Sequence, residues 1–152
     1  MSRFTPIAII VLLLTALGCQ GKTSHSDEVL EIRVADVVEH AKWTKTSRVV
    51  GGSPVWMAPK AMIDQTMVKR ARAAHDLEGN AVVLVTLNNH GRALMERLCT
   101  EQESRPVAVL VEGKVVATPV LLSELASEFV VGSPEWTSED ARNFAQRLNQ
   151  RS

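Results

Sequence analysis

The residues that could carry out catalysis or hold a metal ion are the histidines, the cysteines and one close pair of glutamates. The histidines are His25, His40, His75 and His90. They lack the i, i+4 spacing and the cysteine pairing that are typical of zinc sites. Glu101 and Glu103 lie beyond a predicted helix, in a polar turn, where we expect solvated side chains rather than an acid–base pair. The glycine motifs of serine hydrolases, P-loop proteins and dinucleotide-binding proteins are missing as well. We therefore expect a protein that is not an enzyme, with no cofactor, metal ion or small-molecule substrate.

The amino-terminal segment has the composition of an export signal. Arg3 precedes an apolar run, residues 7–17, which as a helix would span about 17 Å, against roughly 30 Å for a bilayer core. The pattern predicts a signal peptide at residues 1–18 rather than a membrane-spanning helix. Gly18-Cys19 resembles the lipobox of bacterial lipoproteins, which implies acylation of Cys19. The order Ala16-Leu17 differs from the usual Leu followed by Ala or Ser, and an uncleaved anchor with an incidental cysteine is the alternative.

Residues 19–27 are polar and are predicted to form a lipidated, flexible tether to a single domain at residues 28–152. A random coil of this length reaches about 16 Å, so the domain would stay close to the bilayer. Gln20 stands where an Asp would favour the inner membrane in some Gram-negative bacteria. The resemblance therefore implies a lipid-anchored protein of the cell envelope on the periplasmic side, with the outer membrane favoured over the inner membrane as the alternative.

An acylated Cys19 would leave Cys99 without a disulfide partner. An unpaired thiol in an oxidising envelope is tolerated chiefly when it is buried. Cys99 follows Leu98 at the edge of a predicted apolar helix face. We expect a half-buried structural cysteine rather than a nucleophile.

The candidate partner surface consists of two tryptophans and a glycine turn. Trp43 lies in a polar loop between lysines, where a large ring has little core to enter, and this suits a partner or a membrane interface. The alternative is that the loop folds the ring back under. Trp56 lies in a short strand and could face the core or water. Gly51 and Gly52 complete the candidate surface.

The second half of the chain has the clearest secondary structure. Residues 81–87 are apolar on both faces and predict a central strand. Asn88 or Asn89 is expected to cap a helix whose apolar face carries Gly91, Leu94, Met95 and Leu98. Residues 107–111 and 114–118 flank Glu112-Gly113, the spacing of a two-residue hairpin.

The last helix is predicted to begin with a capping arrangement from Thr137 to Asp140. Its apolar face carries Ala141, Phe144, Ala145 and Leu148. Trp136 stands directly before the cap, and we expect its ring to pack on this helix.

The first half is less regular. Residues 28–36 predict a strand with one solvated face, and residues 47–50 and 55–57 predict a hairpin across a loop of about four residues. Asp64 is expected to cap a single helical turn. Residues 70–76 are either an outer strand or a continuation of that helix, and residues 78–80 mark a turn.

The predicted fold class is α+β, with a mixed, largely antiparallel sheet and two main helices packed on it. The 152 residues have a formal net charge of zero, and removal of Arg3 with the signal peptide leaves 16 basic and 17 acidic residues. This balance lacks the excess positive charge that nucleic acid would attract. We expect no nucleic-acid partner.

From residue 81 onward, particular residues follow one another in a distinctive order. They are Gly91, Ala93, Leu98, Thr100, Glu112-Gly113-Lys114-Val115, Pro119-Val120, Gly132, Trp136-Thr137 and Glu139-Asp140-Ala141. This order resembles the head subdomain of the large periplasmic domain of SecD, the translocase accessory subunit. Glu112 replaces the usual Asp and Trp136 the usual Phe. The resemblance implies a structural role for Gly91, Thr100, Gly113, Pro119, Trp136 and Thr137.

The resemblance implies a soluble head module that contacts unfolded or emerging polypeptide. The sequence lacks the transmembrane helices of SecD, so a motor function is not implied. The first hypothesis is a membrane-anchored envelope lipoprotein that binds polypeptide noncovalently, through an exposed sheet edge or the loops around Trp43 and Gly51-Gly52. The alternative is a structural or assembly lipoprotein that contacts one folded envelope partner. A third hypothesis is a hydrolase that uses Cys99 or a histidine.

Overall fold

The computed structural model of the protein describes residues 29–102, 104–120 and 128–151. The predicted signal peptide, Cys19 and the tether lie outside these residues, and so does Glu103. None of the helices within the described ranges has the length and apolar character needed to span a membrane.

The described residues form eight strands, two α-helices and one 3₁₀ turn at Gln65–Met67. In chain order the elements are β1 (Leu30–Asp36), β2 (Thr44–Val50), β3 (Ser53–Asp64), β4 (Val68–His75), β5 (Ala81–Leu87), α1 (Asn89–Glu101), β6 (Val107–Val111), β7 (Lys114–Ala117), β8 (Glu128–Gly132) and α2 (Ser138–Gln150). The predicted α+β class is confirmed. The strands divide into two sheets, and their ladders are antiparallel.

The first sheet has the order β2-β3-β1-β6-β7 and curls on itself. The guanidinium group of Arg48, on β2, donates hydrogen bonds to the carbonyl oxygens of Val115 and Val116 on the opposite edge, at 2.8–3.4 Å. In β6, Val107, Val109 and Val111 point to the main core. Ala108 and Leu110 alternate with them and therefore point to the other face of the first sheet. There they form a small apolar cluster, separate from the main core, with Ala35, Val55 and Met57.

The second sheet has the order β4-β5-β8, with α2 packed against β4 and β5. Residues 70–76, which the sequence left open between strand and helix, belong mainly to strand β4. The alternation of exposed Arg70 and Arg72 with buried Ala71 fits a strand with one solvated face. The side-chain amide of Asn149, on α2, accepts a hydrogen bond from the Ala71 amide at 2.8 Å and donates one to the Ala71 carbonyl at 2.9 Å. Asn149 therefore takes the place of a neighbouring strand at this position.

The main core joins both sheets and both helices. Its fully buried members include Leu30, Ile32, Val83, Val85, Leu98, Val107, Phe144 and Leu148. The helix α1 begins as predicted, because the Asn88 side chain accepts a hydrogen bond from the Gly91 amide at 2.9 Å. Asn88 also donates its backbone N–H to the Met67 carbonyl at 2.8 Å. The 3₁₀ turn therefore fixes the start of α1.

Two hairpin turns show how the backbone sets the strand connections. The β2–β3 hairpin turns through Gly51 and Gly52, with φ of 57° and 84°, so the predicted loop of about four residues was too long. Two left-handed residues are typical of a type I′ turn. The β6–β7 turn has the same form, with φ of 51° at Glu112 and 76° at Gly113. Glu112 accepts a hydrogen bond from Arg147 of α2.

Candidate functional site

The histidines within the described residues, His40, His75 and His90, lie in separate parts of the fold. His40 Nε2 is 2.9 Å from Asp36 Oδ2, whereas His75 Nε2 is 3.1 Å from Ser138 Oγ. The His75–Ser138 pair is exposed, and His90 is exposed at the start of α1. Within the part of the chain that the structure describes, no cluster of three His, Cys, Asp or Glu residues could hold a metal ion.

Cys99 and Glu101 both have structural surroundings. Cys99 is buried in the main core, and burial raises the pKa of its thiol. A raised pKa keeps the thiol protonated and unreactive. The prediction that Glu101 lies beyond the helix was wrong, because Glu101 is the last residue of α1 and lies 3.5 Å from Arg97.

Trp43 lies half-buried in the loop between β1 and β2. Its ring packs against the His40 ring, with the ring centroids 4.2 Å apart and the planes tilted by 33°. His40 in turn bonds to Asp36, and this hydrogen bond lowers the pKa of the Asp36 carboxyl. The Trp43 ring is therefore held against the protein by a histidine that Asp36 fixes in place, with part of the ring's surface left accessible.

The other members of the candidate partner surface are divided between the two ends of one hairpin. Trp56 on β3 pairs with Lys45 on β2, whose Nζ atom lies 5.9 Å from the ring centroid. This pair is at the Trp43 end of β2. Gly51 and Gly52 follow the other end, roughly 20 Å away along the strand. The structure brings the two tryptophans to one end and leaves the glycine turn apart.

The motif residues of the second half have identifiable contacts. A Cβ atom at Gly91 would lie 2.9 Å from Met67 Cβ, so only glycine allows this approach of α1 to the 3₁₀ turn. Thr100 donates its hydroxyl to the Glu96 carbonyl at 3.0 Å. The Pro119 carbonyl accepts a hydrogen bond from the Val107 amide at 2.9 Å.

Trp136 and Thr137 fix the start of α2. The Trp136 ring packs on Phe144, with centroids 5.1 Å apart. Thr137 and Asp140 form a reciprocal capping box. Hydrogen bonds from Thr137 lower the pKa of the Asp140 carboxyl, and the backbone amide has a larger effect than the hydroxyl.

A groove that sequence reasoning missed lies between β8 and the first sheet. Its cavity volume is about 390 Å³, within the range of 300–1,000 Å³ typical of ligand sites. The lining is almost entirely apolar and includes Ile32, Met95, Val107, Val109, Ala117, Phe129 and Val131. The apolar run Phe129-Val130-Val131 before Gly132 was the available sequence signal for the β8 side of this groove.

The β8 strand is an edge strand beside that groove. Its inner side pairs with β5, and within the described ranges no strand pairs with its outer side. In an antiparallel pair, alternate residues bond to the neighbour, so the remaining main-chain groups of β8 point to the free edge. Val130 also lines the groove and is 58% exposed. The arrangement combines free main-chain hydrogen-bonding groups with an apolar surface.

Two antiparallel sheets, two covering helices and an open sheet edge define a small α+β module of the head type. The chain belongs to the SecDF P1 head subdomain family, whose model matches residues 41–152. This confirms the resemblance to the SecD head.

Two solved structures share the fold. A crystal structure of SecDF in a super-membrane-facing form matches with a TM-score of 0.62 and 18% identity, over 82% of this chain and 19% of that one. The structure of SecDF described as a membrane component that enhances protein export matches with a TM-score of 0.63 and 18% identity, over 82% of this chain and 63% of that one. The chain thus spans less than two thirds of either protein. A comparison with curated proteins gives no match.

Proposed function

We propose that this protein is a lipid-anchored module of the bacterial envelope that binds extended polypeptide noncovalently at the β8 groove. It has no catalytic step in this proposal. The observation that carries the proposal is the free edge of β8 beside an apolar groove. The family, together with the description of SecDF as a membrane component that enhances protein export, favours a polypeptide as ligand.

An extended polypeptide fits both features of the groove. Its main chain would pair with β8 as an added strand, which needs no particular ligand sequence. Its side chains would alternate between the two faces of the extended sheet. Apolar side chains on one face would then enter the groove, whose wall includes Phe129 and Val131. We expect a preference for segments with alternating apolar residues.

Anchoring through Cys19 would keep this groove at the membrane on the periplasmic side. The support is the resemblance of Gly18-Cys19 to a lipobox. Each buried methylene of an acyl chain contributes about 0.8 kcal/mol, so several chains would hold the protein there durably.

Two exposed valines provide a matched test. Val130, on β8, is 58% exposed and Val49, on β2 of the other sheet, is 62% exposed. Fluorescence anisotropy would measure the binding of a labelled, permanently unfolded polypeptide to the full-length protein in vesicles. We expect Val130→Lys to weaken binding at least tenfold, because a charge would stand beside the apolar groove, and Val49→Lys to leave it unchanged. Equal effects of the two variants would contradict the proposal.

The second candidate is contact with one folded envelope partner through the candidate surface of Trp43, Gly51, Gly52 and Trp56. The half-buried rings of Trp43 and Trp56 at one end of the β2–β3 hairpin favour it. Photo-cross-linking in cells from position 43 and from position 130 would separate the two. A single adduct from position 43 supports the folded partner, whereas many client proteins captured from position 130 support polypeptide binding.

A further inference from the structure

We infer that Lys69, Arg70 and Arg72, called here the β4 basic surface, bind the anionic headgroups of the membrane to which the protein is attached. The inference goes beyond polypeptide binding and rests on the proposed anchoring at Cys19. It assigns a membrane-facing side to the domain.

The β4 basic surface is exposed and carries no compensating charge of its own. All three side chains are exposed, and β4 contains no acidic residue. Arg70 and Arg72 flank buried Ala71 and therefore share the solvated face of the second sheet. On that face Thr86 lies opposite Arg70, and Glu128 follows on the next strand. Glu128 accepts a hydrogen bond from the Thr86 hydroxyl at 3.1 Å.

Several other exposed arginines contrast with this surface because they have acidic partners. Arg92 and Arg97 on α1 lie 4.0 and 3.5 Å from Glu96 and Glu101. Arg147 pairs with Glu112. No such ion pair is formed by the three β4 cations within the described residues, so their charge is available to an external anion.

The point at which the chain enters the domain lies beside β4. The side chain of Gln65 accepts hydrogen bonds from the amides of Val29 and Leu30, at 2.6 and 3.3 Å. Gln65 lies in the 3₁₀ turn that leads directly into β4. Lys69 is only four residues further on, or roughly 13 Å of extended chain.

The length of chain outside the structure limits how far this point can be from the bilayer. Nine residues separate Cys19 from Val29, and even a fully extended chain would span at most about 35 Å. An acylated Cys19 therefore holds the start of β4 near the headgroups. The electrostatic attraction to an anionic surface acts over about 8 Å at physiological salt, so close contact is required.

The chemistry of the side chains suits phosphate-containing headgroups. Guanidinium groups bind phosphate oxygens in a bidentate manner, and Lys adds a point charge. Each basic side chain near an anionic membrane strengthens binding about fivefold, so three together contribute on the order of 100-fold. Because β4 and β8 are opposite edges of one sheet, about 10 Å apart, contact along β4 leaves the β8 edge open to polypeptide.

Fluorescence quenching by lipid would test the inference. The full-length protein is reconstituted into vesicles of phosphatidylcholine, alone or with about 30% phosphatidylglycerol, that contain a headgroup-labelled nitroxide lipid. A fluorophore is attached at Ala73→Cys on β4 or at Ala93→Cys on α1, both exposed positions. We expect quenching at position 73 in the anionic vesicles alone and little quenching at position 93. About 0.5 M salt should reverse the quenching at position 73, because salt screens the attraction between exposed charges.

Two charge variants with equal net charge complete the test. Lys69→Gln/Arg70→Gln/Arg72→Gln should reduce the quenching at position 73 to the level in neutral vesicles. Lys60→Gln/Arg97→Gln/Lys114→Gln, at exposed positions of the first sheet and α1, should preserve it. Equal quenching of the two variants would overturn the inference.

Flotation on neutral vesicles reports the anchor separately. If the protein floats on neutral vesicles but position 73 is not quenched in anionic ones, the anchor stands and the inference fails. If the protein does not float on neutral vesicles, the result with anionic vesicles decides. Salt-sensitive flotation that the β4 variant abolishes would uphold the inference, and a lack of flotation on anionic vesicles would overturn it. A further outcome is that polyglutamate changes the emission of the fluorophore at position 73 while anionic vesicles do not quench it. That result would assign the surface to an acidic protein and reject the membrane as its partner.

Discussion

Gly91 shows how one residue determines the position of a helix. A β-carbon at this position would lie 2.9 Å from Met67 Cβ and 3.3 Å from Leu87 Cβ. The sequence placed Gly91 on the apolar face of a helix, but it did not indicate which element would pack there. The contact with the 3₁₀ turn depends on residues more than 20 positions away.

Gly91→Ala should destabilise the protein by about 1–3 kcal/mol, because the added methyl group overpacks the contact with Met67. Urea unfolding measures the change. Ala93→Gly is the control, since residue 93 is exposed on the same helix and should cost about 1 kcal/mol through helix propensity alone. If Gly91→Ala instead stabilised the protein, as propensity predicts, the close approach would be refuted.

The Asp140 carboxylate makes the start of α2 sensitive to acid. Its pKa in the folded protein is lowered below the ordinary value of 3.8 by hydrogen bonds from Thr137. A lowered folded pKa gives a stabilisation that is present above pH 3.8 and is lost as the pH falls through the folded value. We expect Asp140→Asn to lower the melting temperature at pH 7 and to differ less from the parent at pH 3.

Thermal unfolding between pH 7 and pH 3 would measure this convergence. Asn143→Ala, an exposed change on the same helix, should give a difference that does not depend on pH. A constant difference for Asp140→Asn over the whole range would rule out the capping carboxylate as the cause.

Arg48 acts at the scale of elements, because it joins the two edges of the curled first sheet. Arg48→Ala should destabilise the protein by about 1 kcal/mol, since the hydrogen bonds to Val115 and Val116 are exposed to solvent. Amide hydrogen exchange should accelerate in β2 and β7. Arg48→Lys should restore little, because an ammonium group does not have the planar fork that reaches two carbonyls. Unchanged exchange in both strands would show that the sheet closes without Arg48.

Local signals predicted most of the elements, and long-range contacts determined the rest. The strand at residues 81–87, both helices, their caps and the two-residue turn at Glu112-Gly113 were predicted from periodicity and turn chemistry. The division into two sheets, the edge contacts of Arg48 and Asn149, and the β8 strand were missed. The partner of Asn149 lies 78 residues away in the sequence, and the partner of Glu128 on β8 lies 42 residues away. A local pattern does not encode such pairings.

The candidate site required the whole molecule. Residues from β1, β5, α1, β6, β7 and β8 line the groove, so it exists only when the two sheets come together. The tryptophans drew attention in the sequence because large rings are conspicuous in a polar loop. Main-chain groups at a free edge leave no mark in the amino-acid sequence.

At this scale the proposals assign different partners to the two edges of one three-stranded sheet. The β4 edge would face anionic lipid near the point at which the tether enters, and the β8 edge would receive polypeptide. Both edges would act at the same time, since β5 separates them.

Amide hydrogen exchange of the vesicle-bound protein, with and without an unfolded polypeptide at saturating concentration, tests polypeptide binding at β8 most directly. We predict that the polypeptide slows exchange within Glu128–Gly132, because an added strand takes up the free amides of β8, and leaves Thr44–Val50 unchanged. Unaltered exchange at Glu128–Gly132, or protection confined to the β2–β3 hairpin, would contradict binding at this edge.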